Sequence, residues 1–330
     1  MFSERAGTYS LSFSDDFKGS YYTFTPHSLC RDITLVNDDE LISALANAHR
    51  LIGLLEGLCR YISDMENITR LFRLKEVAAS YSIDEALRFT YPELFGIFGD
   101  KKRKQRMVPI QNHIKALEYG INELSHAPLT NKLIYSTHSV LMDHRRDTEI
   151  IGAARKKQTI LGDFMVRVTN MKTYNPTAPV EIKTCMADVQ KYIEREDAID
   201  TLIKAALLHY QIEAIHPFES GNGKMGRIVV AQYLNKTGLL KSTLLPISEF
   251  LLMDKMEYFD RLNAVHYHGR YEQWIKFFLR VIEVTAKTTL ENVETTIKLR
   301  SQYISSIKNE NKDVEYLVSA YAQPENADKP

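Results

Sequence analysis

A short glycine-rich stretch, residues 215–227, concentrates side chains that could do phosphate chemistry. It reads Ile-His-Pro-Phe-Glu-Ser-Gly-Asn-Gly-Lys-Met-Gly-Arg. An imidazole loses its proton near neutral pH, so His216 could accept a proton from an attacking hydroxyl. Lys224 and Arg227 supply two cations in the same stretch. A proton acceptor and two phosphate-binding charges therefore lie within one loop.

The flanking segments place this stretch at the start of a helix. Residues 200–212 carry apolar side chains at helical spacing, and residues 228–234 are apolar and stop before Gly238. The loop thus leads into a helix N-terminus, where unpaired N–H groups and the positive end of the dipole attract anions. Glycines leave room for a phosphate to approach the backbone. We expect an anion site that comprises Gly221, Gly223, Lys224, Gly226 and Arg227.

The stretch resembles the signature of the Fic family, which is His-Pro-Phe, any residue, an acidic residue, Gly-Asn-Gly-Arg, two residues and Arg. Fic enzymes mostly transfer AMP from ATP to a protein hydroxyl. The resemblance extends over residues 20 to 290. It implies a mainly α fold, a Fic-type helical bundle with one small β-hairpin flap and an N-terminal helical domain. The matching residues are His216, Pro217, Phe218, Gly221, Asn222, Gly223 and Arg227.

The resemblance also implies a role for each matching residue. His216 would take the proton of a Tyr, Ser or Thr hydroxyl that attacks the α-phosphorus of ATP. Asn222 would donate to the α-phosphate oxygens, where charge develops. Residues 221–226 would lie under the α- and β-phosphates, and Arg227 would hold the outer phosphates. Phe218 would anchor the loop by packing.

Two positions depart from the signature. Ser220 stands where the acid belongs, and Lys224 replaces the first Arg. In relatives that acid binds the Mg²⁺ that bridges the phosphates, and a hydroxyl is a weaker, neutral ligand, so Ser220 is only a weak metal candidate. Lysine keeps the positive charge but cannot make the bidentate hydrogen bonds to two oxygens that arginine makes. We therefore expect weakened or altered transfer, with Glu219 a solvated loop carboxylate.

A second resemblance concerns residues 80–85, Ser-Tyr-Ser-Ile-Asp-Glu. Fic proteins with an N-terminal helical domain often end a helix in Ser or Thr, three residues, Glu, then Gly or Asn. That Glu pairs with the last Arg of the loop and holds ATP in an unproductive pose. Ser80 and Asp84 are thus inhibitory candidates, because a carboxylate beside Arg227 competes with phosphate for the same donors. The alternative is that Asp84 caps a helix over residues 85–89.

The chain divides by pattern into three parts. We expect an N-terminal helical domain with the inhibitory helix over residues 1–100, a Fic core over 101–287, and a C-terminal helix and tail over 288–330. Residues 1–36 read as irregular, and the basic run 101–106 reads as a solvated linker. Alternating apolar residues predict a β-hairpin at about 164–176, similar to the Fic flap that pairs with an extended segment of a target protein.

Composition bounds the class of protein. The chain has 330 residues, 44% of them hydrophobic, and a formal net charge of zero, which indicates a soluble globular protein with no pull towards nucleic acid. Its three distant cysteines favour a reducing compartment, and no leader or bilayer-spanning run is visible, so we expect a cytoplasmic protein without membrane contact.

Three functions stay open from the sequence. The first is a protein adenylyltransferase that uses ATP and Mg²⁺, weakened or autoinhibited, acting on an unidentified protein or on itself. The second is transfer of another phosphate-linked group, such as phosphocholine or UMP, because the nucleoside end of the site cannot be read. The third is a nucleotide-binding regulatory module with little turnover. A homodimer is also open.

Overall fold

The computed structural model describes residues 3–14, 19–31, 33–61, 65–85, 89, 91–94, 101–145, 149–160, 175–241 and 244–310. The chain divides into two compact units, Met1–Ala286 and Lys287–Pro330. The division predicted at residue 100 stays a prediction. Everything that positions the site described below belongs to the first unit.

Helices dominate the described residues, and the predicted mainly α class is confirmed. No helix within those ranges has an apolar stretch long enough to cross a membrane. The strands are β1 (Gly7–Ser14) and β2 (Gly19–Pro26). The helices are α1 (Asp39–Tyr61), α2 (Met65–Glu85), α3 (Tyr91–Leu94), α4 (Lys101–Arg106), α5 (Val108–Glu123), α6 (Asn131–Leu141), α7 (Pro179–Glu194), α8 (Thr201–Ile215), α9 (Asn222–Lys236), α10 (Ile247–Met253), α11 (Lys255–His268) and α12 (Tyr271–Glu310), with a 3₁₀ turn at Asp143–Arg145.

The N-terminal segment forms a β-hairpin, so its prediction as irregular structure is wrong. β1 and β2 pair antiparallel, with Tyr9 opposite Phe24. Both strands are rich in the aromatic and β-branched residues that favour extended backbone. Polar and apolar residues alternate from Thr8 to Phe13 in β1, and the adjacent Tyr21 and Tyr22 interrupt that alternation in β2. Phe24 packs edge-on against the ring of His266, at 5.2 Å between centroids.

Side-chain caps stabilise the first turns of α1 and α6. Asp38 Oδ1 accepts a hydrogen bond from the Leu41 N–H at 2.9 Å, and Thr130 Oγ1 accepts one from the Leu133 N–H at 3.3 Å. Such caps satisfy backbone donors that the first turn leaves unpaired.

Two helices differ from the sequence prediction. The basic run predicted as a linker is helix α4, because lysine, arginine and glutamine are good helix formers. Helix α2 continues beyond Ser80 to Glu85. Asp84 therefore lies in the last turn of α2 and is not the N-cap of a following helix. Residues 86–88 of that expected helix lie outside the described ranges.

Helices α8 and α9 form the centre of the first unit. Nearly every side chain of α8 is buried, and the Trp274 indole N–H donates to the Ala206 carbonyl of α8 at 2.8 Å. The two helices approach closely at Gly226, where a Cβ would lie 2.7 Å from Glu213 Oε1 and 3.2 Å from the His209 ring. The loop between α8 and α9 is therefore held at both ends by packed core helices.

Three buried histidines make the stability of this core depend on pH. Burial lowers the pKa of His138 to about 4 and the pKa values of His209 and His266 to about 3. The unfolded chain, with histidine pKa values near 6.5, binds more protons below that pH. We expect the free energy of unfolding to be highest above pH 6.5 and to fall by about 1–2 kcal/mol per histidine between pH 6.5 and 5.

Denaturant unfolding at pH 7, 6 and 5 measures this slope. Replacing the exposed His126 by Gln should leave the slope unchanged. A free energy of unfolding that stays constant between pH 7 and 5 would contradict the neutral state of the buried rings.

Candidate active site

The candidate site lies in the loop between α8 and α9, and His216 begins that loop. His216 has φ 53° and ψ 60°, and it is the one non-glycine residue with positive φ within the described ranges. A side chain in this left-handed region costs about 1–2 kcal/mol, so its surroundings must hold it there. The His216 N–H donates to the Ile212 carbonyl at 2.9 Å, and the His216 side chain faces an open cavity.

Arg155 fixes the backbone of His216. The Arg155 Nε donates to the His216 carbonyl at 2.8 Å, and the Arg155 backbone N–H donates to the Pro217 carbonyl at 2.9 Å. The same guanidinium donates to the carbonyls of Lys157 and Thr177, and Arg155 is only 2% exposed. Sequence reasoning missed this residue, because Arg155 opens a basic run that looks like solvated surface.

We expect Arg155→Gln to lower the turnover of the site about 100-fold, because a shift of about 1 Å in a catalytic group can cost that much. The affinity for nucleotide should change little, since the guanidinium bonds to backbone carbonyls rather than to the cavity. Lys156→Gln, one residue away and exposed, removes the same charge and is the matched control. Equal rates for the two variants would refute the positioning role.

The imidazole of His216 is a neutral base at physiological pH. Burial and, after it, the Arg155 guanidinium lower its pKa to about 4, although the hydrogen bond to the Glu213 backbone acts in the opposite direction. A neutral ring has a lone pair on one nitrogen. His216 can therefore accept a proton from a hydroxyl that enters the cavity.

Phe218 and Asn222 brace the loop from inside. Phe218 is fully buried and stacks on the His138 ring, at 3.8 Å between centroids and 6° between planes. Asn222 Oδ1 accepts from the Phe218 N–H at 2.8 Å, and Asn222 Nδ2 donates to the Phe218 carbonyl at 2.9 Å. Phe218 is thus packed beneath the loop, and its role as the loop anchor stays a prediction. The Asn222 amide retains one further N–H, and its contact with a phosphate stays a prediction.

The N-terminus of α9 opens onto the cavity. Gly221, with φ 75°, precedes the first helical residue, and the first N–H groups of a helix have no carbonyl one turn earlier to bond. At Gly223 a Cβ would lie 2.8 Å from Asp84 Oδ1. Gly226 lies away from this end, because α8 fills the space that its missing side chain leaves. An anion at the cavity would thus meet the backbone at Gly221 and Gly223.

The cavity has a volume of about 760 Å³, which suits a ligand of nucleotide size. One wall holds His216, Ser220 and the start of α9, and the last turn of α2 adds Asp84 and Glu85. The far wall comes from α11, with Phe259 and Asn263 among its residues. The cavity therefore extends from the N-terminus of α9 to a wall of mixed aromatic and polar side chains.

The last turn of α2 occupies Arg227. Arg227 Nη2 donates to Asp84 Oδ2 at 2.8 Å, and Arg227 Nε donates to Ser80 Oγ at 2.9 Å. The Arg227 side chain is 1% exposed. Burial would raise the pKa of Asp84, but the Arg227 and Lys224 cations outweigh it and lower that pKa, so Asp84 is ionised. Both inhibitory candidates from the sequence thus contact Arg227.

The same turn also occupies Lys224. Its Nζ donates to Glu85 Oε1 at 2.7 Å and lies 3.4 Å from Asp84 Oδ2. The ammonium also lies 4.2 Å from the centre of the Tyr81 ring, and the side chain is 3% exposed. Glu85, which stands in the small-residue place of the family pattern, therefore pairs with the lysine that replaces the first Arg.

Ser220 contacts a carboxylate that the sequence analysis did not find. The Ser220 hydroxyl donates to Glu149 Oε2, and the Ser220 carbonyl accepts from His138 Nε2 at 3.1 Å. Glu219 is exposed, and its carboxylate accepts from the Ile150 N–H at 2.7 Å. In the described part of the chain no three His, Cys, Asp or Glu side chains group as ligands for a metal.

The predicted flap at about 164–176 lies outside the described residues except for its last two. Asn175, one of these, pairs with β2. The Phe24 N–H donates to the Asn175 carbonyl at 2.9 Å, and Asn175 Nδ2 donates to the Tyr22 carbonyl at 2.9 Å. The N-terminal hairpin is therefore hydrogen-bonded to the end of the segment predicted as the flap.

Known proteins are similar to parts of this sequence and to its fold. Residues 128–234 match the Fic/DOC family. The chain is 26% identical over 176 residues to "Protein adenylyltransferase Fic" of Nematostella vectensis, which covers 51% of this chain and 38% of that protein. It is 33% identical over 67 residues to "Probable protein adenylyltransferase aq_aa38" of Aquifex aeolicus (strain VF5), which covers 20% of this chain and 21% of that protein. The match thus spans well under half of either relative.

Among solved structures, the chain is similar to a Fic family protein from Desulfovibrio desulfuricans G20. The TM-score is 0.63 at 18% sequence identity, and the superposition covers 79% of this chain and 77% of that one. At this identity the likeness concerns the fold alone. The predicted Fic-type helical fold is confirmed.

Proposed function

Because this chain is a Fic family protein, with the family domain at residues 128–234, we propose that it is a protein adenylyltransferase. It would move AMP from ATP to a Tyr, Ser or Thr hydroxyl of a protein. The observation that carries the proposal is a neutral His216 facing the same cavity as the N-terminus of α9. The names of the two curated relatives agree with this activity.

In this reaction the polyphosphate of ATP lies at the N-terminus of α9. The unpaired N–H groups there, with Lys224 and Arg227, bind the phosphate oxygens. The hydroxyl oxygen of the target forms a bond to the α-phosphorus, and the bond from that phosphorus to the bridging oxygen of the β-phosphate breaks. Pyrophosphate leaves, and the hydroxyl proton passes to His216. Positioning and charge stabilisation supply most of the rate of such a transfer.

The described conformation is autoinhibited in this proposal. Asp84 and Glu85 bind Arg227 and Lys224, the two cations that a polyphosphate needs. Asp84 also lies directly beside Gly223 at the N-terminus of α9. A carboxylate and a phosphate compete for the same guanidinium donors. ATP therefore binds productively only when the last turn of α2 releases Arg227.

A nucleotide-binding module with little turnover is the second candidate. Ser220 favours it, because the loop itself lacks the acid that relatives carry at this place. The two candidates predict different products. Slow transfer leaves a covalent adduct on a protein, whereas a binding module leaves ATP intact.

Incubation of the purified chain with α-labelled or γ-labelled ATP, followed by mass spectrometry, tests the proposal. Covalent label from the α-phosphate alone, with an AMP adduct on a hydroxyl residue, is the expected result. Label from the γ-phosphate would indicate a kinase instead. Nucleotide binding without any adduct, in this chain and in an Asp84→Ala variant, would leave the binding module. An adduct from another donor but not from ATP would indicate transfer of a different phosphate-linked group.

A further inference from the structure

Where the family signature places an acid, this chain presents a hydroxyl in contact with a carboxylate from a distant segment. Ser220 Oγ donates to Glu149 Oε2, although the two residues are 71 positions apart. Ser220 lines the cavity beside the N-terminus of α9. A carboxylate therefore lies one hydrogen bond from the position where the loop lacks one.

Several reciprocal contacts hold Glu149 in this place. The Ile150 N–H donates to Glu219 Oε2 at 2.7 Å. The neighbours Glu149 and Ile150 therefore bond to the neighbours Ser220 and Glu219, respectively. The Gly152 N–H donates to His138 Nδ1 at 2.9 Å, which leaves His138 Nε2 to donate to the Ser220 carbonyl. The segment that carries Glu149 is thus docked on the loop by side chains and backbone together.

The Glu149 carboxylate has a second partner besides Ser220. Arg145 binds the other carboxylate oxygen and also lines the cavity. Glu149 therefore bonds to two residues that line the cavity, Ser220 and Arg145.

We propose that Glu149 supplies the carboxylate that the loop lacks, and that Glu149 and Ser220 together hold the divalent cation of a metal–nucleotide substrate. The inference rests on the proposed function. Carboxylate oxygens are hard donors of the kind that Mg²⁺ prefers, and the serine hydroxyl is a weaker, neutral oxygen donor beside them. Mg²⁺ commonly binds through one or two carboxylates with substrate phosphates and water, so one acid and one hydroxyl fit the group.

Calorimetry with α,β-methylene-ATP tests the inference without any transfer step. The full chain and its Asp84→Ala variant are titrated with the analogue in saturating Mg²⁺ and again with a chelator. The readout is the ratio of the two affinities. We expect Mg²⁺ to strengthen binding in both proteins, and Glu149→Gln to reduce that ratio about tenfold or more, as loss of a group that holds a metal typically does. Binding without metal should be as strong as in the parent.

A swapped pair provides the sharper comparison. The double variant Glu149→Ser with Ser220→Asp exchanges the carboxylate and the hydroxyl, and it should restore most of the Mg²⁺ effect. Ser220→Asp alone would place two carboxylates in contact. Glu219→Gln removes a neighbouring charge, keeps an oxygen for Ile150 and should retain most of the effect.

Three results would overturn the inference. The first is an unchanged ratio in Glu149→Gln, and the second is a parent chain that binds the analogue equally well without Mg²⁺. The third is an equal loss of affinity with and without metal, which would make the Glu149 contact structural. If neither the full chain nor the Asp84→Ala variant binds the analogue at all, the proposed function itself fails.

Discussion

Asp84→Ala should raise covalent labelling from α-labelled ATP about tenfold to 100-fold. The change frees the Arg227 guanidinium from its 2.8 Å contact and releases the weaker hold on Lys224. The range corresponds to a coupling free energy of about 1–3 kcal/mol between the α2 turn and the phosphate site. Initial rates of labelling at fixed protein concentration measure the effect.

The same substitution should lower the free energy of unfolding by roughly 3 kcal/mol, because it removes the carboxylate partner of a buried cation. A rise in rate together with a fall in stability is specific to an inhibitory contact. Glu85→Gln also removes one charge but touches only Lys224, so its labelling should rise less. If Asp84→Ala folds and binds nucleotide yet labels no faster than the parent, the inhibitory reading of α2 is wrong.

His216→Ala should reduce labelling about 100-fold to 10,000-fold, the usual contribution of a positioned general base. Nucleotide affinity should stay close to that of the parent, because the phosphate donors lie on α9 and not on the ring. Label incorporation and nucleotide titration are measured on the same preparation, in the Asp84→Ala background so that transfer is fast enough to follow. His126→Ala, an exposed imidazole, is the control. Undiminished labelling by His216→Ala would remove the base from the mechanism.

The lowered pKa of His216 fixes the direction of the pH dependence. Only the neutral ring accepts a proton, and its pKa is about 4. The rate should therefore not fall as the pH drops from 7 to 6. It should decline only as the pH approaches 4, in a range where the buried core histidines also weaken the fold.

The local part of the site could be predicted from sequence because its residues are neighbours along the chain. The order from His216 to Arg227 identifies a loop that enters a helix, and that helix, α9, begins at Asn222 inside the predicted stretch. The contact of Asp84 with Arg227 also followed, but from family resemblance rather than from any local pattern. The structure shows that the last turn of α2 forms part of the cavity wall.

The supporting residues could not be predicted because their partners are distant in sequence. Arg155 bonds to a carbonyl 61 positions away, and backbone carbonyls carry no residue-specific signal. Glu149 is one acid among many until the fold brings it to Ser220. The N-terminal hairpin was missed although residues 8–13 of β1 alternate polar and apolar side chains, and only the adjacent Tyr21 and Tyr22 interrupt the period of two in β2.

The left-handed backbone at His216 has a consequence for how selection acts on this position. A glycine would adopt φ 53° without steric cost, so the fold by itself would be more stable with no side chain there. Folding and chemistry therefore place opposite demands on one residue. A chain released from its catalytic task would drift towards glycine at 216, and such a homologue would mark a lineage in which this scaffold has lost its reaction.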